Sequence, residues 1–348
     1  MDNNKYRFSP DVNTGHISDE NTKTYFSRIG IAVFALGVTA TIVSTLLSLL
    51  INSFFAELTS SKPLVAAMNH AISFIAIYAV GMPLFCYILN PLPSVHPYKE
   101  KMPLKDVFGG FCVCLLSMLV GNYISSVILV WLETMLGSAT ENPVSDAISP
   151  TDPATIAVTL IFMVIIGPIL EEILFRKILC TKLLPLGEGY AIFISAAIFG
   201  LFHGNFYQFA YAFLVGAVFA LIYVKTGKLI YSIIYHMGLN LLGSVIGPWI
   251  LEQIDLERMY EILESGVLEP SDPIISSLLL LFAYEVVTMV AAGIGLALLL
   301  KARRKRAFSL EKGILPPPKK NRLTNIFCNV GVAAAITYFV LTFFLSLL

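Results

Sequence analysis

Apolar residues run along this chain in blocks, separated by short polar connections. A helix needs roughly 20 apolar residues to cross a hydrocarbon layer. Blocks of about that length fall at 29–55, 65–90, 107–134, 154–178, 189–205, 206–224, 229–251, 273–300 and 325–348. The fifth and sixth are the closest pair, parted only by Gly204-Asn205-Phe206. The pattern predicts an all-α polytopic membrane protein with about eight to nine transmembrane helices. Four regions follow: a polar tail over 1–28, N-terminal helices over 29–153, a central group over 154–251, and a C-terminal region over 252–348 with two polar loops and two helices.

Charge gives this ladder a direction. Every one of the 23 Lys and Arg residues except Lys62 and Arg258 falls in the N-terminal tail or in an even-numbered connection. The positive-inside rule makes that side cytoplasmic. The N-terminus is then expected in the cytoplasm and the C-terminus outside, and the alternation favours counting the fifth and sixth blocks separately. The outside connections 134–153 and 252–272 are acidic and read as loops or partly helical. The inside stretch KARRKRAFSLEKGILPPPKK is polybasic, then proline-rich, and suits contact with anionic lipid.

Composition agrees. The chain is 57% hydrophobic and 13% charged, with mean hydropathy +0.79, against about 25% charged residues in soluble domains. Residues 1–28 do not resemble a secretory signal, so the first block reads as an uncleaved anchor. The location expected is a cell (plasma) membrane, with lipid and a membrane-associated peptide or protein as partners. Nothing calls for nucleic acid. Cys86, Cys112, Cys114, Cys180 and Cys328 lie in apolar stretches without metal-ligand spacing and read as packing residues.

Ionisable residues within a span face the bundle interior and mark function. Here they are Glu171, Glu172 and Arg176 on the fourth block, His203 at the end of the fifth, His236 on the seventh, His70 on the second and Glu285 on the eighth. Glu172 and Arg176 are four apart, with the acid first, so they can neutralise each other on one helix face. Glu171 points about 100° away around the helix and is left for chemistry. The Gly167–Pro168 step just before it removes a backbone hydrogen bond and is expected to kink the helix, opening space. Phe199 and His203, then His236 and Asn240, repeat the i,i+4 spacing.

A carboxylate and two imidazoles from different helices suit two tasks. Glu171, His203 and His236 can hold a divalent metal such as zinc with a position open for water. Alternatively they activate water directly, with Asn240 and one imidazole donating to the oxyanion. Both are acyl-bond hydrolysis. The metal-free route is favoured, because the carboxylate available as a partner for a ligating His, Glu172, is taken by Arg176. No H-E-x-x-H or G-x-S-x-G occurs. Two other classes compete: a proton-coupled transporter using Glu285 and His70, and a non-catalytic immunity or scaffold protein.

Glu171-Glu172-x-x-x-Arg176, Phe199-x-x-x-His203 and His236-x-x-x-Asn240 resemble, in order and spacing, the three motifs of the CPBP family of type II CAAX prenyl endopeptidases and Abi-type bacteriocin-processing proteins. The likeness covers about 155–250. It implies an intramembrane endopeptidase acting on a membrane-associated or lipidated substrate. Glu171 and His203 would activate water, His236 and Asn240 would stabilise the oxyanion, and Glu172, Arg176 and Phe199 would shape the site. Whether a metal takes part stays open. For these groups to meet, the fifth block has to be short or tilted, with the turn after it buried.

Overall fold

The computed structural model describes residues 6–8, 17–54, 61–137, 153–305 and 309–347. The expected outside loop over 134–153 lies largely outside these, as do residues 1–5 and 9–16 of the N-terminal tail. Among the described residues, seven helices are long and apolar enough to cross a membrane: α1 (Asp19–Phe54), α2 (Pro63–Leu89), α3 (Leu104–Leu136), α4 (Pro153–Leu186), α6 (Phe206–Thr226), α7 (Leu229–Glu252) and α9 (Ile274–Arg304). Two shorter apolar helices, α5 (Glu188–Leu201) and α11 (Val330–Leu345), make up the nine expected blocks. Two small polar helices intervene, α8 (Leu256–Ser265) and α10 (Arg322–Phe327). The chain is an integral membrane protein of all-α type.

Helix ends fall where local chemistry puts them. α1 starts ahead of its apolar block, because Ser18 accepts from the Asn21 N–H and its own carbonyl takes the Thr22 N–H. Asp19 and Glu20 then occupy the electropositive first turn. The last block is divided at Cys328–Asn329, where Asn329 caps α11 through the Val332 N–H. Cys328 is exposed there, unlike buried Cys112, Cys114 and Cys180, so the packing role read for the cysteines does not extend to it.

Three helices meet a proline in the same way. Proline lacks an N–H and its ring crowds the carbonyl one turn back. Ahead of Pro83, Pro168 and Pro248 the backbone widens into π-helical stretches, Ile75–Gly81, Leu160–Ile166 and Leu242–Ile246. The kink expected at Gly167–Pro168 is thus a π-helical turn, and α4 runs on to Leu186. π-Turns of this kind cluster at functional sites.

α6 is the central helix: 56% of its most apolar stretch is buried, against 11% in α1 and α9. It packs on α3, α5 and α7. Side chains such as Phe282, Val287 and Val340 point outward, exposed for lipid. Close crossings rest on small residues. Gly121 of α3 lies directly against the backbone of Tyr211 in α6, and Gly30 of α1 against Gly331 of α11.

The polar connections are also built. Tyr6–Phe8 (β1) pairs antiparallel with Val95–Pro97 (β2). The proline-rich half of the polybasic stretch is tied down, not loose: Leu315 N–H donates to the Pro185 carbonyl, and Glu311 N–H to the Glu188 carboxylate, which also takes Lys225. On the opposite connection, Arg258 clasps Asp272 at 2.7–2.8 Å and Glu261 at 2.8 Å. Hydrogen bonding from Arg258 holds Asp272 below the usual carboxylate range, so this clasp is complete at neutral pH and is lost as pH falls through that depressed value.

A side chain at Gly121 would drive α3 off the Tyr211 backbone. Gly121→Leu is expected to cost about 1–3 kcal/mol, the usual penalty for overpacking, seen as a lower thermal midpoint of the protein in detergent; an unchanged midpoint would show the crossing is looser than described.

Candidate active site

The three motif helices converge beside α6. α4 carries Glu171, Glu172 and Arg176, α5 ends just before His203, and α7 carries His236 and Asn240. α5 is only 14 residues long, and the turn after it is buried at Asn205. That turn is built by Asn205: its amide donates to the His203 carbonyl at 2.7 Å and to Gln208 at 3.0 Å, while its oxygen accepts the Gln208 N–H at 2.9 Å. Gly204 takes the left-handed conformation that lets the chain reverse.

The two adjacent glutamates part company. Glu172 is 0% exposed and sits 3.1 Å from Arg176 Nε, which is equally buried. Arg176 is held further by Ser195, which accepts from Nη1 at 3.0 Å and donates to the Phe175 carbonyl. Its guanidinium lies over the Phe199 ring, 4.8 Å from the centroid, a favourable cation–π placement. Glu171 keeps 27% of its side chain exposed and faces a cavity.

His236 joins the two. Its Nδ1 is 3.3 Å from Glu172 Oε1 and its Nε2 is 3.7 Å from Glu171 Oε2. Glu172 is therefore not spent on Arg176 alone: one oxygen faces Arg176 and the other His236. The ring is pinned edge-on to Phe199 and against Phe219. His203 turns Nδ1 to the Phe199 carbonyl at 2.9 Å. A donor at Nδ1 leaves Nε2 as the acceptor. Phe199 thus touches Arg176, His203 and His236 together.

Asn240 has a task that spacing alone does not reveal. In the π-helical turn, Gly167 N–H bonds five residues back to Phe162. The next such bond would join Met163 to Pro168, which has no N–H. Asn240 donates to that orphaned Met163 carbonyl at 2.8 Å. Its amide keeps a second N–H at the cavity wall.

Glu171, Phe199, His203, His236 and Asn240 line one cavity of about 320 Å³. Met118, Met163, Val215 and Leu239 give it apolar walls. Asn122, Gln208, Tyr211 and Ser244 add polar atoms, with Gln208 donating to the Tyr211 hydroxyl at 2.9 Å. Of these only Asn122 stands out in the sequence, as a polar residue within a span. Gln208 and Tyr211 follow the buried turn, and nothing in their spacing marks them. Glu171 and His203 also line a smaller cavity of about 110 Å³ on the side of Tyr78.

Among the described residues, no group of three or more His, Cys, Asp or Glu side chains is arranged to hold a metal ion. His203 turns Nδ1 to the Phe199 carbonyl and His236 turns Nδ1 to Glu172, so both rings keep Nε2 at the cavity, the posture a ligating imidazole also takes. The ground for favouring the metal-free route, that Glu172 is taken by Arg176, does not hold, because its other oxygen meets His236. Of the two transporter candidates, His70 stacks on Phe162, and Tyr284, the residue beside Glu285, reaches the Leu242 carbonyl.

The family model of type II CAAX prenyl endopeptidase, Rce1-like, matches residues 153–242, which hold all seven motif residues. The putative membrane peptidase YdiL of Bacillus subtilis (strain 168) is 30% identical over 175 residues, 49% of this chain and 67% of YdiL. The chain belongs to the Rce1-like CAAX protease family. The membrane-embedded CAAX protease MroQ of Staphylococcus aureus (strain USA300) is 33% identical over 108 residues. That match covers 28% of this chain and 44% of MroQ, so less than half of that relative is spanned. No solved structure matches. Tyr78 and Asn122 lie outside the Rce1-like segment, so helices beyond it complete the cavity walls.

Removing one partner of a buried ion pair strands the other charge, at about 3–5 kcal/mol. Arg176→Met is expected to lose about that much stability, and adding Glu172→Gln to recover part of it, as read by thermal unfolding of the single and double variants. Strictly additive losses would show that the two side chains do not act as a pair.

Proposed function

We propose that this protein is an intramembrane endopeptidase that hydrolyses a peptide bond of a membrane-associated or lipidated substrate. The observation that carries the reading is the division of labour between neighbours: Glu172 is fully buried against Arg176, while Glu171 opens onto the cavity shared with His203, His236 and Asn240. Family membership supports the reaction class.

The chemistry needs one water beside Glu171. His203, accepting through Nε2, orients the water, and Glu171 takes its proton as the oxygen attacks the scissile carbonyl. The carbonyl oxygen becomes an oxyanion, to which the second amide N–H of Asn240 donates together with Nε2–H of His236, acting as an imidazolium whose Nδ1–H rests on Glu172. The proton on Glu171 then passes to the departing amine, the C–N bond breaks, and a carboxylate and an amine leave. Glu172 aligns His236 through Nδ1, as carboxylates align histidines in other sites. The methionines and aliphatic residues of the cavity suit an apolar peptide segment, and a cavity of about 300 Å³ or more is of ligand-binding size. A cell membrane is the location that fits such a substrate.

The test is cleavage of a membrane-anchored peptide library by the full chain in proteoliposomes, with and without a chelator. Glu171→Gln is expected to lower the rate at least a thousandfold, about 4 kcal/mol of barrier, at an unchanged thermal midpoint. Chelator is expected to leave the wild-type rate intact. Full cleavage by Glu171→Gln together with loss of ion-coupled uptake would favour a transporter. Normal biological activity of His203→Ala would favour a binding role.

A further inference from the structure

A cavity larger than the one just described lies elsewhere in the protein. It is an open groove of about 720 Å³ where the N-terminal part of α1, the end of α2 and the start of α11 meet. It shares no lining residue with either cavity at Glu171.

Its chemistry is graded along one face of α1. Lys23, Ser27 and Ile31 follow each other at i,i+4 spacing, so the face runs from cation to hydroxyl to exposed aliphatic. Arg28 sits beside Ser27 and reaches across the groove to the Ile88 carbonyl at 3.4 Å. That contact fixes the guanidinium while using one of its five N–H groups. Thr24, Asn90 and Asn329 add polar atoms, and among the described residues no carboxylate lines the groove. On its open side stand Tyr87 and Val330, 78% and 80% exposed, continuous with the apolar surface of the helices.

We propose that this groove binds a membrane phospholipid with an anionic headgroup. The two cations without an acid between them supply the charge complement for a phosphodiester. The apolar open side supplies the second half of the match, since acyl chains can lie along Ile31, Tyr87 and Val330 while the phosphate stays between Lys23 and Arg28. A free anion would use only the first half. The site is separate from the diffuse attraction of the polybasic stretch that begins in the last turn of α9. It does not depend on the proposed peptidase reaction.

The experiment is native mass spectrometry of the full chain in neutral detergent, titrated with dioleoylphosphatidylglycerol or dioleoylphosphatidylcholine. Wild type is expected to bind the anionic lipid about tenfold tighter than the zwitterionic one, in line with the usual gain per basic residue. In Lys23→Gln/Arg28→Gln the ratio should fall close to one. Neutralising Lys301, Arg303 and Arg304 instead should leave it standing. Lys23→Gln alone alters an exposed side chain and should lower the ratio about threefold, which decides the matter if the double variant does not fold. An unchanged ratio in the groove variants, a loss confined to the variant at the end of α9, or full displacement of the lipid by inorganic phosphate would each overturn the proposal.

Discussion

The ion pair of Glu172 with Arg176, wholly buried inside a bundle of apolar helices, is the constraint on which the site depends. Two opposite charges cannot be left apart in such a place, and every helix of the site is drawn into satisfying them. Arg176 is met by Ser195 and by the faces of Phe199 and Phe219. The second oxygen of Glu172 meets His236. Because Phe199 leads directly to His203, the pair fixes both histidines, one by charge and one by packing. Glu171 is then the acid with room to act, because its neighbour has taken the buried position.

The second organising feature is a missing hydrogen bond. Pro168 denies Met163 its helical partner, the turn widens, and Asn240 crosses from α7 to fill the gap. The same proline that loosens α4 therefore docks it to α7, close to Glu171. Pro83 and Pro248 are preceded by similar widened turns in the helices on either side. α4 and α7 at the cavity and α2 beside it are thus locally expanded, while α1, α3 and α9 are regular over more than thirty residues each.

Much of this could be read from residue order. Block lengths located the helices, including the short α5, because apolar runs in lipid have one dominant solution. The i,i+4 repeats placed Glu172 with Arg176, Phe199 with His203 and His236 with Asn240, since that spacing acts within one helix. What escaped lies between helices. The approach of His236 to Glu172 and the Asn240 contact with Met163 depend on packing that no single-helix period encodes. The tethering of the proline-rich stretch escaped for the same reason: its anchors, Pro185 and Glu188, are more than a hundred residues away in the chain.

The account's central claim is that Glu171 acts on water rather than on the substrate carbonyl itself. Single-turnover cleavage of a membrane-anchored peptide in heavy-oxygen water, followed by mass spectrometry of both product and protein, separates the two. The account predicts the label in the new carboxylate of the product in the first turnover, with Glu171 unlabelled. A first-turnover product carrying ordinary oxygen, with the label appearing on Glu171 instead, would mean that the glutamate attacks as a nucleophile and would contradict it.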